Sequence, residues 1–421
     1  MKRLGIAVLA LTVLMVLGGA AGVIREQSGR SYETVGATLE NVQEEKVETT
    51  LEEDLKETEE AAIKKLEIEA SAKEKVEEPI RLLFAGDIYF SDYVLQAYER
   101  AGNRIEGILD EGYRSLIEEA DLFVVNQEFP FSNRGTAAKD KQYTFRLPTD
   151  KVKLMQELSV DVATLANNHA LDFGTDALLD TCEVLDEAGI RHVGAGKNLE
   201  EAKQPVIVQM GEKKLAFLAA TRVIPEYSWA AGKDKAGMLE TYNPERLLEE
   251  IEKVRKLCDF VIVYVHWGVE RDESPQEYQR TLGRQYIDAG ADMVIGSHPH
   301  VLQGIEYYKG KPIVYSLGNF IFGSQIPSTM LLWSELSDEG IALRLVGGTS
   351  QNGYTSMLTE ETKKQAFYEK MQSLSFGVEV DENGNVSEKK EENGYEDSGY
   401  ALRYHRSDLS QEAAGGGDFS G

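Results

Sequence analysis

The chain of 421 residues carries a formal net charge of −27 at pH 7, and 42% of its residues are apolar. This composition allows a large hydrophobic core, whereas the acidic balance argues against nucleic-acid binding, which requires a basic surface. The two cysteines, Cys182 and Cys258, cannot form a disulfide framework. We favour two buried free thiols over a single bridge, because each cysteine lies in an apolar context.

The N-terminal residues 1–25 have the pattern of a membrane anchor or a signal peptide. Lys2 and Arg3 precede an uncharged stretch, Leu4 to Ile24, whose helical length of about 30 Å matches the apolar core of a bilayer. The leading cations predict a cytoplasmic N-terminus with the rest of the chain outside. A small-residue run, Gly18 to Gly22, would also suit cleavage. We favour an uncleaved single-pass anchor in the cell membrane over a cleaved signal that yields a secreted protein.

The composition then changes along the chain. Residues 26–78 are rich in glutamate, which predicts an acidic spacer that is partly helical or disordered. From residue 79 to 350, short apolar strands alternate with helical patterns, which predicts an α/β domain. Residues 351–387 are interpreted as a C-terminal extension with a hairpin at Asn383-Gly384. Residues 388–421 are acidic and glycine-rich, which predicts a disordered tail.

The predicted strands of the α/β domain mostly end in polar residues. The predicted strands are Arg81–Asp87, Asp121–Glu128, Val160–His169, a hairpin over Val206–Ala220, Asp259–Gly268, Ala291–His300 and Lys311–Phe320. Helical patterns lie between them at 149–158, 175–188 and 244–257. A further helix is predicted to begin at an N-cap, Ser274, and to end before Gly290.

The polar residues at the strand ends predict a metal site. In open α/β sheets, ligands bind beyond the carboxyl ends of the strands, so these side chains should share one crevice. Four of the six histidines follow strand-like runs. Carboxylate, amide and imidazole groups together suit Zn²⁺, Mn²⁺ or Fe, and six ligands would suffice for one or two ions. The predicted ligands are Asp87, Glu128, Asn168, His266, His298 and His300.

Each candidate taken alone also fits a structural role. Asp87 after a glycine would cap a turn, and Asn168 would hold a turn through side-chain hydrogen bonds. A single histidine is more often structural than a metal ligand. The metal interpretation therefore depends on the joint occurrence of ligand types at several strand ends.

Six motifs follow one another between about residues 80 and 325. They are Gly86-Asp87, Asn126-x-Glu128, Ala166-Asn-Asn-His-Ala-Leu-Asp172, His266-Trp-Gly-Val-Glu270, Ser297-His-Pro-His300 and Tyr315-Ser-Leu-Gly-Asn-Phe320. Together they resemble the CapA family of poly-γ-glutamate capsule biosynthesis proteins. The resemblance implies a branch of the calcineurin-like metallophosphatases, with a four-layer α/β/β/α sandwich and a dinuclear metal site.

The resemblance also implies a role for each candidate. The first metal would be bound by Asp87 and His300, the second by Asn168, His266 and His298, and both by the bridging Glu128. His169 would protonate the leaving group, and Asp172 would orient it. The chain departs from the phosphatase pattern at Tyr89, where phosphatases have a metal-binding histidine. The first metal would therefore lack one imidazole.

Six further residues are candidates for substrate binding. Arg134, Lys141 and Arg146 follow Glu128 and are either cations that hold a carboxylate or phosphate group or ordinary surface charges. The residues expected to line the wall of the site are Trp267, Glu270 and Asn319.

The resemblance implies a membrane-anchored extracytoplasmic component of poly-γ-glutamate capsule biosynthesis. Its hydrolase-like domain would act on or handle the polymer, with a metal-bound hydroxide as the nucleophile. The implied partners are an anionic polymer, the membrane and other capsule synthesis or export subunits. Two alternatives remain open: a secreted metal-dependent phosphoesterase, and a non-catalytic subunit that binds the polymer or an export complex.

Overall fold

The computed structural model describes residues 78–389. The strands are β1 (Ile80–Ile88), β2 (Leu122–Gln127), β3 (Val162–Thr164), β4 (Arg191–Val193), β5 (Ala195–Gly196), β6 (Val206–Met210), β7 (Lys213–Thr221), β8 (Gly237–Met238), β9 (Phe260–His266), β10 (Met293–Ser297), β11 (Leu302–Tyr308), β12 (Lys311–Leu317), β13 (Asn319–Ile321), β14 (Gln325–Ser337), β15 (Gly340–Gln351), β16 (Tyr354–Met357), β17 (Val378–Val380) and β18 (Asn385–Glu388). The α-helices are α1 (Asp92–Arg100), α2 (Glu111–Glu119), α3 (Lys153–Glu157), α4 (Thr175–Glu187), α5 (Leu199–Ala202), α6 (Glu245–Val254), α7 (Glu277–Ala289) and α8 (Glu361–Leu374).

Most of the strands form two sheets. The larger has the order β17-β18-β15-β14-β1-β2-β3-β4, with β13 against β1 and β16 against β15. Strands β1 to β4 are parallel, and β14 is antiparallel to both β1 and β15. The smaller sheet has the order β11-β12-β10-β9-β7-β6, in which the four inner strands are parallel. Parallel strands need long crossover connections, and the helices supply several of them.

The two sheets pack face to face, with helices outside them. Along β9, Ile262 and Tyr264 enter the core that the two sheets share, and the Tyr264 hydroxyl donates to the carbonyl oxygen of Ala85 on β1 at 2.7 Å. The alternate residues Val261 and Val263 pack on the opposite face, with side chains of α6 and α7. This alternation follows from the period of two in a strand. The described residues thus form the mixed α/β fold that the sequence predicts.

Several predicted boundaries were wrong. The segment 160–169 contains only the short β3, because the chain turns after Thr164 towards the site. Strands β11 and β14 and helices α1, α2 and α8 were not predicted. Helix α7 begins two residues later than expected: Gln276 is its N-cap and forms a capping box with Gln279. Gly290 ends the helix in the left-handed conformation, as predicted.

The C-terminal segment is part of the larger sheet. Strands β17 and β18 pair as an antiparallel hairpin, and β18 also pairs with β15. Helix α8 buries Phe367 and Met371. The boundary expected at residue 350 therefore falls inside β15, and the segment after it completes the sheet.

The predicted N-terminal anchor and most of the acidic spacer, together with the tail from residue 390, lie outside the described residues. Within 78–389, no helix has both the length and the apolar character needed to cross a membrane.

Candidate metal centre

The carboxyl ends of parallel strands from both sheets meet at one edge of the domain. Asp87 is near the end of β1 and pairs with Asn126 on β2. In the smaller sheet, His266 ends β9 and pairs with Ser297, which ends β10. Asp87 accepts a hydrogen bond from the backbone N–H of His298 at 3.3 Å, which links the two sheets at this edge. The predicted crevice thus has one wall from each sheet.

Glu128 lies between these walls and is fully buried. Its Oε1 is 3.1 Å from Nε2 of His266, and its Oε2 is 3.9 Å from Nε2 of His300. Neither approach is a hydrogen bond, and both carboxylate oxygens lack a hydrogen-bond partner among the described residues. A buried carboxylate without donors is costly. The pocket therefore fits a bound cation better than it fits a purely structural role for Glu128.

Two groups of potential ligand atoms share this glutamate. One consists of Glu128, His266 and His298, and the other of Asp87, Glu128 and His300; in each group the atoms lie within 4.8 Å of one another. Asn168 places its Oδ1 2.8 Å from Nε2 of His266. These are the residues expected from the sequence, and their oxygen and nitrogen atoms suit one or two divalent transition-metal ions.

The backbone at the two histidines after β10 is strained. His298 has φ 97° and His300 has φ 57°, on either side of Pro299. Positive φ is uncommon for residues other than glycine, and such strain occurs mainly at functional sites. The buried Nδ1 of His298 has no hydrogen-bond partner among residues 78–389. This unpaired nitrogen is a further polar atom that a cation would satisfy.

The ionisation of two candidate ligands, His266 and His298, also favours a cation. Burial, followed by the neighbouring His298, lowers the pKa of His266 well below its usual range. Burial, followed by His300, lowers the pKa of His298 to about 3. Neutral imidazole is the form that binds metals. Burial opposes protonation of His300 too, but Glu128 and Asp87 outweigh it and raise its pKa to about 10.

Asn126 orients two of the candidate ligands and was not among the predicted site residues. Its Nδ2 donates to Oδ1 of Asp87 at 2.8 Å and lies 3.3 Å from Nδ1 of His266. Its Oδ1 accepts from the Thr164 hydroxyl at 3.0 Å. Ser297 places its hydroxyl 3.1 Å from the same His266 nitrogen. The signal available in the sequence was the motif Asn126-x-Glu128, because residues two apart in an extended chain share one face.

His169 is held beside the candidate metal ligands by Asp172. Its Nδ1 lies 2.7 Å from Oδ2 of Asp172, which leaves Nε2 for a substrate. Lys141 forms an ion pair with Oδ1 of Asp172 and lies 3.0 Å from Nδ1 of His169. Burial lowers the pKa of His169, and Asp172 opposes the shift. Burial likewise lowers the pKa of Lys141, against the effect of the same carboxylate.

Comparison of the sequence with known proteins identifies the family of the chain that carries this site. Residues 81–324 match the family model described as bacterial capsule synthesis protein PGA_cap. The chain belongs to the PGA_cap family. The capsule biosynthesis protein CapA of Bacillus anthracis is 30% identical over 323 residues, which cover 73% of this chain and 77% of that protein. The PGA biosynthesis protein CapA of Bacillus subtilis is 34% identical over 241 residues, which cover 57% of this chain and 62% of that protein. These matches confirm the predicted resemblance.

Solved structures resemble this PGA_cap protein only loosely. A phosphatase from Mycoplasma pneumoniae aligns with 66% of this chain and 90% of its own, with 15% identity and a TM-score of 0.36. The NAD nucleotidase of Haemophilus influenzae aligns with 70% of this chain and 63% of its own, with 13% identity and a TM-score of 0.38. Scores this low do not establish a shared fold.

The three cations predicted to bind substrate have different environments in this PGA_cap chain. Arg134 forms an ion pair with Asp180 of α4 and lies 3.6 Å from Asp176. Arg146 places its guanidinium 4.0 Å from the ring centroid of Phe173 and donates to the carbonyl oxygen of Arg134 at 3.0 Å. Only Lys141 contacts the candidate catalytic residues. Arg134 is therefore paired with acidic residues of α4, and its contacts do not support the prediction that it binds substrate.

The three predicted wall residues also differ in their positions. Trp267 is fully buried in the outer core, and its indole N–H donates to the carbonyl oxygen of Tyr315 at 2.9 Å, so the prediction that it lines the site was wrong. The reason is the strand period, which directs His266 inward and Trp267 outward. Glu270 is exposed and groups with His298 and His300. Asn319 places Oδ1 2.8 Å from Nδ1 of His300 and orients a candidate ligand.

Proposed function

We propose that this chain is a membrane-anchored, extracytoplasmic component of poly-γ-glutamate capsule biosynthesis, and that its metal centre hydrolyses γ-amide bonds of the polymer. Membership of the PGA_cap family and the names of the Bacillus relatives support the capsule role. The observation that carries the hydrolase role is the buried Glu128 carboxylate, whose two oxygens have no donor among residues 78–389 and face imidazoles.

The protein groups would divide the reaction between them. A divalent ion held by the two ligand groups would polarise the scissile carbonyl and acidify a water molecule. Hydrolysis of one amide consumes one water, breaks the carbon–nitrogen bond and yields a carboxylate and a protonated amine. His169 would supply the proton that the leaving amine takes, from its Nε2. Asp172 would hold the opposite ring nitrogen and so fix the orientation of the imidazole.

The test uses the purified full chain with Mn²⁺ and two substrates in parallel. Poly-γ-glutamate cleavage is followed by polymer size and by the appearance of new amino groups, and phosphoesterase activity is followed with bis(p-nitrophenyl) phosphate. We expect Mn²⁺-dependent shortening of the polymer, abolished in Glu128→Gln. Turnover of the phosphodiester alone would favour the phosphoesterase alternative. A fully metal-loaded chain that cleaves neither substrate would contradict the hydrolase role.

A further inference from the structure

The segment 132–147 contains neither a helix nor a strand and lies over the turn that carries His169. The backbone N–H of Ala138 donates to the carbonyl oxygen of Asp172 at 2.7 Å. The backbone N–H of Phe145 donates to Oδ2 of Asp172 at 2.7 Å. That oxygen is also the one that holds His169. One carboxylate therefore fixes the position of Phe145 relative to the imidazole.

The ring of Phe145 stacks directly on His169. The two ring centroids are 4.1 Å apart, and the ring planes differ by 22°. On its other face, Phe145 stacks on Tyr89, again at 4.1 Å, with an angle of 20°. The three rings form one continuous stack with His169 at its end. An imidazole that is held at Nδ1 and covered on one face has little freedom to tilt or rotate.

Tyr89 is the residue at which the first motif departs from the phosphatase pattern. Its backbone N–H donates to the carbonyl oxygen of Ile321 at 2.7 Å, and its ring contacts Phe129 and Phe322 as well as Phe145. The side chain that replaces a metal ligand thus supports the aromatic stack.

We propose that Phe145, supported by Tyr89, is a positioning residue that fixes the plane of the His169 imidazole for proton transfer. This inference rests on the proposed function, because it assumes that His169 acts on the substrate. Removing the flat ring while keeping apolar volume should let the imidazole move away from its productive orientation. Small misplacements of a catalytic group cost about 10- to 100-fold in rate.

The first experiment compares three variants of the full chain on poly-γ-glutamate with Mn²⁺. Phe145→Leu should lower kcat about 10-fold or more, with KM and bound Mn²⁺ near those of the wild type. Phe145→Tyr keeps the stacked ring and should retain most of kcat. Tyr89→Leu should lower kcat less than Phe145→Leu, because the direct neighbour of the imidazole remains. Wild-type kcat in Phe145→Leu would overturn the proposal.

The second experiment does not need turnover and therefore separates this inference from the proposed function. The chain is labelled with ¹⁵N- and ¹³C-histidine, and the His169 ring signals are assigned by their loss in His169→Asn. Ring stacking shifts the imidazole carbon-bound protons upfield, so these signals should move downfield in Phe145→Leu. The matched control is Phe322→Leu, which removes a ring that contacts Tyr89, Phe145 and His300. Within residues 78–389 this ring does not stack on His169, so the His169 signals should stay unchanged in this variant. Unchanged His169 signals in Phe145→Leu would overturn the proposal even if the wild type cleaved no substrate.

Discussion

At the scale of single residues, Asp172 has more contacts than its predicted role required. It is fully buried and interacts with His169, Lys141 and the backbone N–H of Phe145. The sequence motif His169-x-x-Asp172 predicts only the first of these contacts. Because three partners depend on one carboxylate, we expect Asp172→Asn to disturb the loop as well as the tautomer of the imidazole.

Metal binding and proton transfer should be separable at His169. In His169→Asn, bound Mn²⁺ should stay near the wild-type level, because the predicted ligands remain, whereas kcat should fall by roughly 10²–10⁴, the usual contribution of a positioned proton donor. Elemental analysis and turnover of poly-γ-glutamate measure the two quantities. Glu128→Gln is the contrasting variant and should lose metal and activity together. If His169→Asn lost its metal while Glu128→Gln kept it, the roles would have to be exchanged.

Metal uptake should release a proton from His300. The Glu128 and Asp87 carboxylates raise the pKa of His300 to about 10, so without metal its imidazole is charged at pH 7. A cation must displace this proton, so the affinity for Mn²⁺ should increase as the pH is raised in the range below pH 10. His266 and His298 are already neutral at pH 7 and add no dependence there. Calorimetric titration of Mn²⁺ in buffers with different ionisation enthalpies measures the proton release, and a value of zero would contradict this assignment.

At the scale of elements, the loop 132–147 depends on a nearly buried ion pair. The Lys141 side chain is 14% exposed and its partner Asp172 is 0% exposed. Lys141→Met would leave the buried carboxylate without its cation and should destabilise the fold by about 3 kcal/mol, at the low end for broken buried pairs because two other donors remain. Urea unfolding measures the loss. Lys139→Met, on the exposed part of the same loop, is the matched control and should be neutral.

The elements that carry the candidate metal ligands were predictable because their signals are local. Each of β1, β2, β9 and β10 is an apolar run with a ligand at or just beyond its end. Strand β14 was missed because Pro327 and polar neighbours occupy its start. Its place is set by antiparallel pairing along β1 and β15, which local sequence does not encode. The same limit applies to Trp267, whose burial depends on helix α7, which packs over it on the outer face of the smaller sheet.

The aromatic stack could not be predicted for a similar reason. Tyr89, Phe145 and His169 come from three separate segments, and only the folded chain brings their rings into contact. The sequence did mark Tyr89 as a departure from the phosphatase pattern, but it did not indicate where the ring lies. The residue type at position 89 can be read from the sequence. The path of the loop that places Phe145 between Tyr89 and His169 depends on contacts between distant segments and cannot.

At the scale of the whole molecule, the charge of −27 opposes the binding of an anionic polymer. Long-range repulsion is screened over about 8–10 Å at physiological salt. We therefore expect KM for poly-γ-glutamate to fall as NaCl is raised from about 10 mM to about 150 mM. KM for bis(p-nitrophenyl) phosphate, which carries a single charge, should change less. A KM for the polymer that rises with salt would contradict repulsion as the dominant long-range effect.

The proposed membrane anchor is tested by fractionation. The full chain should sediment with membranes and keep its N-terminal residues. A chain that begins at residue 78 should be soluble and folded, because it retains β1, the first strand of the described domain. Thermal unfolding of the shortened chain checks its fold. An N-terminal sequence that begins near Gly22 in the mature full chain would show that the segment is cleaved.

The two sheets contribute their ligands at very different times during synthesis. Asp87 and His298 are 211 residues apart. At about 5–20 residues per second, the ribosome needs on the order of 10–40 s to pass from one to the other. During that interval Glu128 exists without the imidazoles of β9 and β10, and a growing chain has no complete pocket in which to retain a cation. A metal ion at this centre would therefore come from the compartment in which the chain finishes folding, and the metals available there would decide which one is bound.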